Sequence, residues 1–190
     1  MPIVMRESGN YKQTGRLLGA VLAGGLSTRF GSDKALALLD GRRLIDHAVA
    51  ALTTECDAVI VVGREDSGHP SAPDWPHPQM GPLGGLAGAL RHALSEGYDA
   101  VLSCGVDSLD LPADLAALLS PAPACLMVQP VIGLWPAKAA SMLEEILLNT
   151  QNHSVRHFAE CIGARSITAP ADPLNVNTRL DLERIKARKV

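Results

Sequence analysis

The chain has 190 residues, 47% apolar and 19% charged, with 17 basic against 20 acidic side chains for a formal charge of −3. That length suits one domain burying roughly 70% of its unfolded surface, and that composition excludes a disordered polypeptide. The near balance of charge, with no basic stripe, argues against nucleic acid as a partner, and no stretch approaches the ~18 consecutive apolar residues of a membrane span. Residues 1–16 are polar and lack the apolar centre of a signal peptide. A loose tail is expected there, then one domain over residues 17–190 and a cytoplasmic location. Cys56, Cys104, Cys125 and Cys161 are too scattered for a paired metal or redox site and read as buried or half-buried free thiols.

After the tail, the apolar run Leu17–Val21 reads as a buried strand. It leads into Leu22-Ala-Gly-Gly-Leu-Ser-Thr-Arg-Phe-Gly-Ser-Asp-Lys-Ala35. Gly24, Gly25 and Gly31 permit a tight loop whose backbone N–H groups face a ligand, and Arg29 and Lys34 add two cations. A strand that empties into a glycine-rich cationic loop suits phosphate. No Gly-Lys-Ser/Thr closes the loop as in a P-loop, and the dinucleotide Gly-x-Gly-x-x-Gly pattern is missing.

Apolar residues at 44, 45, 48, 49 and 52 predict a helix, and Ala58–Val62 predicts the second strand. A loop rich in Pro, His and Asp spans residues 63–80. Leu83, Leu86, Ala87, Leu90 and Leu94 mark a helix that stops near Gly97 and opens with Gly81-Pro-Leu-Gly-Gly-Leu-Ala-Gly88. Glycines in a helix cost roughly 1 kcal/mol each against alanine, a loss tolerated where backbone must approach a flat base or another helix. Ala100–Cys104 is the third core strand and leads to Asp107, at the edge where open parallel sheets bind ligands.

A short helix at Leu115–Leu119, a strand at Leu126–Val128 and an extended piece at Leu134–Trp135 follow. Helices around residues 142–147, 155–159 and 180–187 complete the chain. The last starts after Thr178, whose spacing to Asp181 makes a capping box that does not require Asn175 or Asn177. This alternation predicts an α/β, Rossmann-like single domain with a mostly parallel sheet and helices on both faces.

The loop at 22–35 resembles the signature of the molybdenum cofactor guanylyltransferases, roughly Leu-Ala-Gly-Gly-x-Ser-x-Arg-Met-Gly-x-Asp-Lys, with Phe30 in place of the methionine. Gly81–Gly85 is similar to that family's Gly-Pro-Leu-Ala-Gly, with Gly84 in place of alanine. Asp107-Ser-Leu-Asp-Leu-Pro112 is similar to its Asp-x-Pro-x-x-Pro, with Leu109 for the first proline. Asn175–Leu182 is similar to its Asn-x-Asn-Thr-x-x-(Asp/Glu)-Leu, so the likeness runs from about Leu18 to Leu182.

The resemblance implies transfer of GMP from GTP to the phosphate of molybdenum-molybdopterin, releasing pyrophosphate. It implies Arg29, Lys34 and Asp107 as catalytic residues, with Asp107 holding Mg2+. Around the nucleotide it implies Leu22, Ala23, Gly24, Gly25, Lys34, Asp74, Gly81, Pro82, Leu83, Gly84, Gly85 and Asp107. Arg156, Asn175 and Asn177 fall on the pterin side. GTP and molybdenum-molybdopterin are then the small-molecule partners, with cofactor-accepting molybdoenzymes or their chaperones downstream.

Asp74 also reads as a solvated loop residue, Asp107 as a turn residue, and Asp110 has no family counterpart. Some members carry a nucleotide-touching Asn after the second strand, where this chain has Arg64. A cytidylyltransferase for the same pterin, another small-molecule nucleotidyltransferase and a non-catalytic GTP-binding protein are the rival readings. Gly24-Gly25 and Gly81-Pro82-Leu83 lean toward guanine, and the carboxylate of Asp107 leans toward catalysis.

Overall fold

Leu17–Leu22 is buried at all six positions, which an isolated strand could not sustain and only the centre of a covered sheet provides. The computed structural model describes residues 4–5, 11–12, 15–25, 30–31, 33–149 and 151–188. Its main sheet contains Leu17–Leu22 (β1), Ala58–Val62 (β2), Ser71–Ala72 (β3), Ala100–Gly105 (β4), Ala124–Leu126 (β5), Gly133–Pro136 (β6) and Arg165–Ile167 (β7). Their order is β7-β5-β6-β4-β1-β2-β3. Among these strands β6 alone runs against its neighbours, antiparallel to both β4 and β5; the other pairings are parallel.

The helices are Leu44–Thr53 (α1), Gly81–Ser95 (α2), Leu115–Leu119 (α3), Ala140–Asn149 (α4), Val155–Cys161 (α5) and Arg179–Arg188 (α6). Side chains alternate across the strands and so build two cores. Leu18, Ala20, Leu22 and Val101 pack against Leu83, Leu86 and Leu90 of α2, Leu143 of α4 and Phe158 of α5. On the other face Leu17, Val21, Leu102 and Leu134 meet Ile45, Ala48 and Leu52 of α1 and Leu115 and Leu119 of α3. Trp135 is fully buried in the first core, where its indole N–H donates to Ser103 Oγ at 2.8 Å. Among the described residues no helix is long and apolar enough to cross a membrane.

Several details depart from the sequence reading. The strand expected at 126–128 lies at Ala124–Leu126, because Met127 and Val128 pass beyond the sheet and are exposed. Cys161 is exposed, whereas Cys104 is buried and its thiol is pushed up to about 12 by loss of water contact. Six two-residue strands, none of them periodic enough to read, form three small pairings away from the main sheet. Leu38–Leu39 pairs with Arg42–Arg43, Ser108–Leu109 with Leu174–Asn175, and Val4–Met5 with Tyr11–Lys12 inside the polar tail.

The chain leaves β1 through α1 to reach β2 on one side, then crosses through α2 to β4 on the other. The carboxyl end of β1 is therefore a topological switch point, where open α/β sheets leave a crevice. A third apolar cluster lies there, made of Phe30, Leu39, Leu44, Leu109, Val176, Leu182 and Ile185. Burying Phe30, at 4% exposure, is worth about 1.5–3 kcal/mol and fixes one end of the glycine-rich loop against the 107–112 and 175–182 segments.

Candidate active site

A cavity of about 500 Å³ opens at the carboxyl ends of β1 and β4. Leu22, Ala23, Gly24, Gly25, Lys34, Asp74, Gly81, Pro82, Gly85, Asp107, Arg156 and Asn175 all line it. A neighbouring cleft of about 660 Å³ shares Ala23, Gly24, Gly25 and Asp74 and continues along Asp33, Gly63, Arg64 and Gln79. Segments up to about 150 residues apart in sequence thus converge on one space. Leu83 instead lies fully buried in the core, and Gly84 packs against the Met80 side chain and the Trp75 carbonyl. Asn177 is exposed, with its N–H donating to Asp181 Oδ2 at 3.1 Å, and does not line the cavity. Arg29 lies outside the described residues.

Lys34 opens a short 3-10 turn, Lys34–Leu36, that Asp33 caps by accepting the Ala35 N–H at 3.1 Å. From there its ammonium donates to Asp107 Oδ2 at 2.7 Å, with the two side chains 14% and 20% exposed. Asp107 is held by its backbone: the Val106 N–H donates to Leu22 O at 3.1 Å, and the Val176 N–H to Asp107 O at 3.1 Å. Asn175 is in register with Ser108, which brings it beside Asp107. The capping box is present, since Thr178 N–H donates to Asp181 Oδ2 at 2.8 Å and Asp181 N–H to Thr178 Oγ1 at 3.2 Å.

Among the described residues no group of three or more His, Cys, Asp or Glu side chains is placed to hold a metal. Asp107 offers one carboxylate at the cavity wall. That donor set fits magnesium, which keeps waters and takes its remaining oxygens from substrate phosphates, and does not fit a metal needing an all-protein cage.

Asp74 is 8% exposed, and its Oδ1 has no hydrogen-bond partner among the described residues. Its Oδ2 accepts the Gln79 N–H at 3.3 Å. Three glycines make room for it. A Cβ on Gly24 would lie 2.7 Å from Oδ2, one on Gly63 2.6 Å from Oδ1, and one on Gly85 3.5 Å from Oδ1. Burial raises the carboxyl above its usual pKa, opposed only by the Gln79 N–H. A buried acceptor left unmatched costs about 1–3 kcal/mol.

The far wall holds Val128, Gln129, Pro130, Val131, Val155 and Arg156. Arg156 Nη2 donates to Met127 O at 3.3 Å. Gln129 Nε2 donates to Pro173 O at 2.7 Å while Oε1 accepts from Ser108 Oγ at 3.4 Å, tying this wall to the Asp107 side. Sequence reasoning missed Gln129. Its one signal is that it follows a strand on the edge that carries ligands.

A parallel sheet with a switch point, a glycine-rich loop and a Lys–Asp pair at that point define a Rossmann-like fold of the nucleotidyltransferase type. The sequence profile of the MobA-like NTP transferase domain matches residues 19–165. A molybdenum cofactor guanylyltransferase of Acidiphilium cryptum is 36% identical over 185 residues, covering 90% of this chain and 94% of that protein. One of Sinorhizobium fredii is 32% identical over 200 residues, covering 90% of each. Among solved structures, molybdopterin-guanine dinucleotide biosynthesis protein A of Archaeoglobus fulgidus superposes with a TM-score of 0.71 at 18% identity, over 90% of this chain and 98% of that one. The chain belongs to the MobA-like NTP transferase family.

Proposed function

We propose that this protein transfers GMP from GTP to the phosphate of molybdenum-molybdopterin, forming molybdopterin guanine dinucleotide and pyrophosphate. The observation that carries the reading is the single cavity lined by Gly24, Gly25, Lys34, Gly85, Asp107 and Asn175, all drawn from the matched motifs. The names of the relatives from Acidiphilium cryptum and Sinorhizobium fredii support the same reaction.

The nucleophile, a phosphate oxygen, is already ionised at pH 7, so the protein need not supply a strong base. It attacks the α-phosphorus, and the bond to the pyrophosphate oxygen breaks. Catalysis then lies in alignment and charge neutralisation. The N–H groups of Gly24 and Gly25, with Arg29 and Lys34, hold the triphosphate and the charge that grows on the departing pyrophosphate. Asp107 would hold magnesium, which would supply neutralisation of the charge on the phosphate oxygens. Arg156 on the far wall and Asn175 beside Asp107 face the pterin substrate.

Asp74 selects the base. Guanine presents two adjacent donors, N1–H and N2–H2, which match the two oxygens of a carboxylate. Cytosine and adenine each set one donor beside a ring acceptor, and uracil flanks its single donor with acceptors. A cytidylyltransferase would meet a repulsive contact at Asp74. The product then passes to cofactor-accepting molybdoenzymes or their chaperones, all within the cytoplasm. Incubation with GTP labelled on the α-phosphate and molybdenum-molybdopterin should place the label in a dinucleotide product. Label that stays in GTP, or appears as free GMP alone, refutes the reaction.

A further inference from the structure

Arg64 sits just past β2, in the cleft beside the candidate active site. Its guanidinium grips Asp33 as a fork: Nη1 donates to Oδ1 at 2.8 Å and Nη2 to Oδ2. Nε donates to Asp66 Oδ1 at 2.7 Å, but Asp66 is 76% exposed, and an exposed pair of that kind contributes little. The Asp33 contact is different, because the same carboxylate caps the turn that begins with Lys34.

Gly63 precedes Arg64 at φ +81, where an added Cβ would meet Gly24 Cα at 2.7 Å, so the end of β2 passes tightly against the glycine-rich loop. The incoming end of the glycine-rich loop is tied to the same strand, since the Ala23 N–H donates to Val62 O at 2.9 Å. Both ends of the loop are thus fastened to the end of β2, one by backbone and one by Arg64. The Arg64 partner holds Asp33 below the usual carboxylate range, so the pair is charged at neutral pH.

We infer that Arg64 is a positioning residue for the transfer: through Asp33 it fixes the start of the Lys34 turn and so sets where the Lys34 ammonium points. This rests on the reading of Lys34 as the phosphate-binding cation. A residue that acts only through another shows no separate effect once that other is removed. Arg64→Ala should lower kcat/KM for GTP, measured by pyrophosphate release with molybdenum-molybdopterin, on the order of tenfold in the wild-type background. In a Lys34→Ala background it should cost no more than about twofold.

Arg64→Lys keeps the charge but loses the fork, so it should fall between wild type and Arg64→Ala. Asp33→Asn, which keeps an oxygen for the cap, should reproduce the same coupling to Lys34 if Arg64→Ala does not fold. Equal losses in both backgrounds, or a loss under twofold in the wild-type background, would overturn the inference while leaving the reading of Lys34 intact. If Lys34→Ala alone keeps turnover within threefold of wild type, the reading of Lys34 fails and the inference fails with it.

Discussion

Replacing Asp74 by asparagine should make the protein more stable and a poorer enzyme. The carboxylate is 8% exposed, its Oδ1 is unpartnered among the described residues, and its one N–H donor, from Gln79, stands at 3.3 Å. Leaving a buried polar atom unmatched costs about 1–3 kcal/mol, more when it is charged. Asparagine keeps the shape and removes the charge while leaving one amide atom unmatched, so a gain of about 1 kcal/mol is expected, or roughly 2–4 °C in Tm for a domain of this size.

The sign with pH follows from the direction of the shift. Burial raises the folded-state pKa of Asp74 above its ordinary value of 3.8. The folded state therefore binds more protons between those two values, and stability falls as pH rises through that window. The advantage of Asp74→Asn should be full above the folded-state pKa and vanish as pH drops below 3.8. Function should move the other way. A hydrogen bond to a charged acceptor is worth about 1.5–3 kcal/mol, so losing one contact to guanine lowers kcat/KM for GTP roughly 10- to 150-fold. Thermal melts across pH and steady-state kinetics check the two halves. A variant that is less stable with unchanged kcat/KM would show the carboxylate to be a structural wedge and refute the reasoning.

Lys34→Ala should keep the fold by circular dichroism and lose on the order of 10²–10³ in turnover, as for other lost transition-state donors; a rate within threefold of wild type sinks the role. Asp107→Asn should shift the magnesium activation curve to higher concentration and recover only part of the activity, and coincident curves for mutant and wild type would remove Asp107 as the ligand. Gly88→Ala gains about 1 kcal/mol of helix propensity. It also drives a Cβ into the Pro73 carbonyl oxygen and to 3.2 Å from Val62 Cγ1. Overpacking of this kind costs typically 1–3 kcal/mol, so the melting temperature should fall. A rise in Tm would show that α2 and the Pro73 segment are not in tight contact.

The parts of the fold that could be read from sequence are those with a strong local pattern. Leu17–Val21, Ala58–Val62 and Ala100–Cys104 are unbroken apolar runs because they fill the covered centre of a parallel sheet. Gly31 of the 22–35 loop was legible as a turn glycine and sits at φ +73, whereas Gly24 is small for a reason with no local trace, the room it leaves for Asp74. Pairings across long sequence distances left no local trace. Lys34 and Asp107 are 73 residues apart, and neither flanking sequence announces the ion pair. Gln129 bridges Ser108 and Pro173 through its amide, which no periodicity encodes. Met127 and Val128 look like strand residues by composition. They are exposed at 47% and 59% because they leave the sheet at the mouth of the cavity. Phe30 read as a bulky apolar substitute in a polar loop; its reason is the third apolar cluster, built from segments that meet only in the folded chain.

The most direct test compares GTP, CTP, ATP and UTP side by side for pyrophosphate release in the presence of molybdenum-molybdopterin and magnesium. On the proposed pairing of guanine's two donors with Asp74, each worth about 1.5–3 kcal/mol, kcat/KM for GTP should exceed that for CTP by roughly a hundredfold or more. Comparable efficiencies, or a preference for CTP, would contradict guanylyl transfer while leaving the fold as it stands.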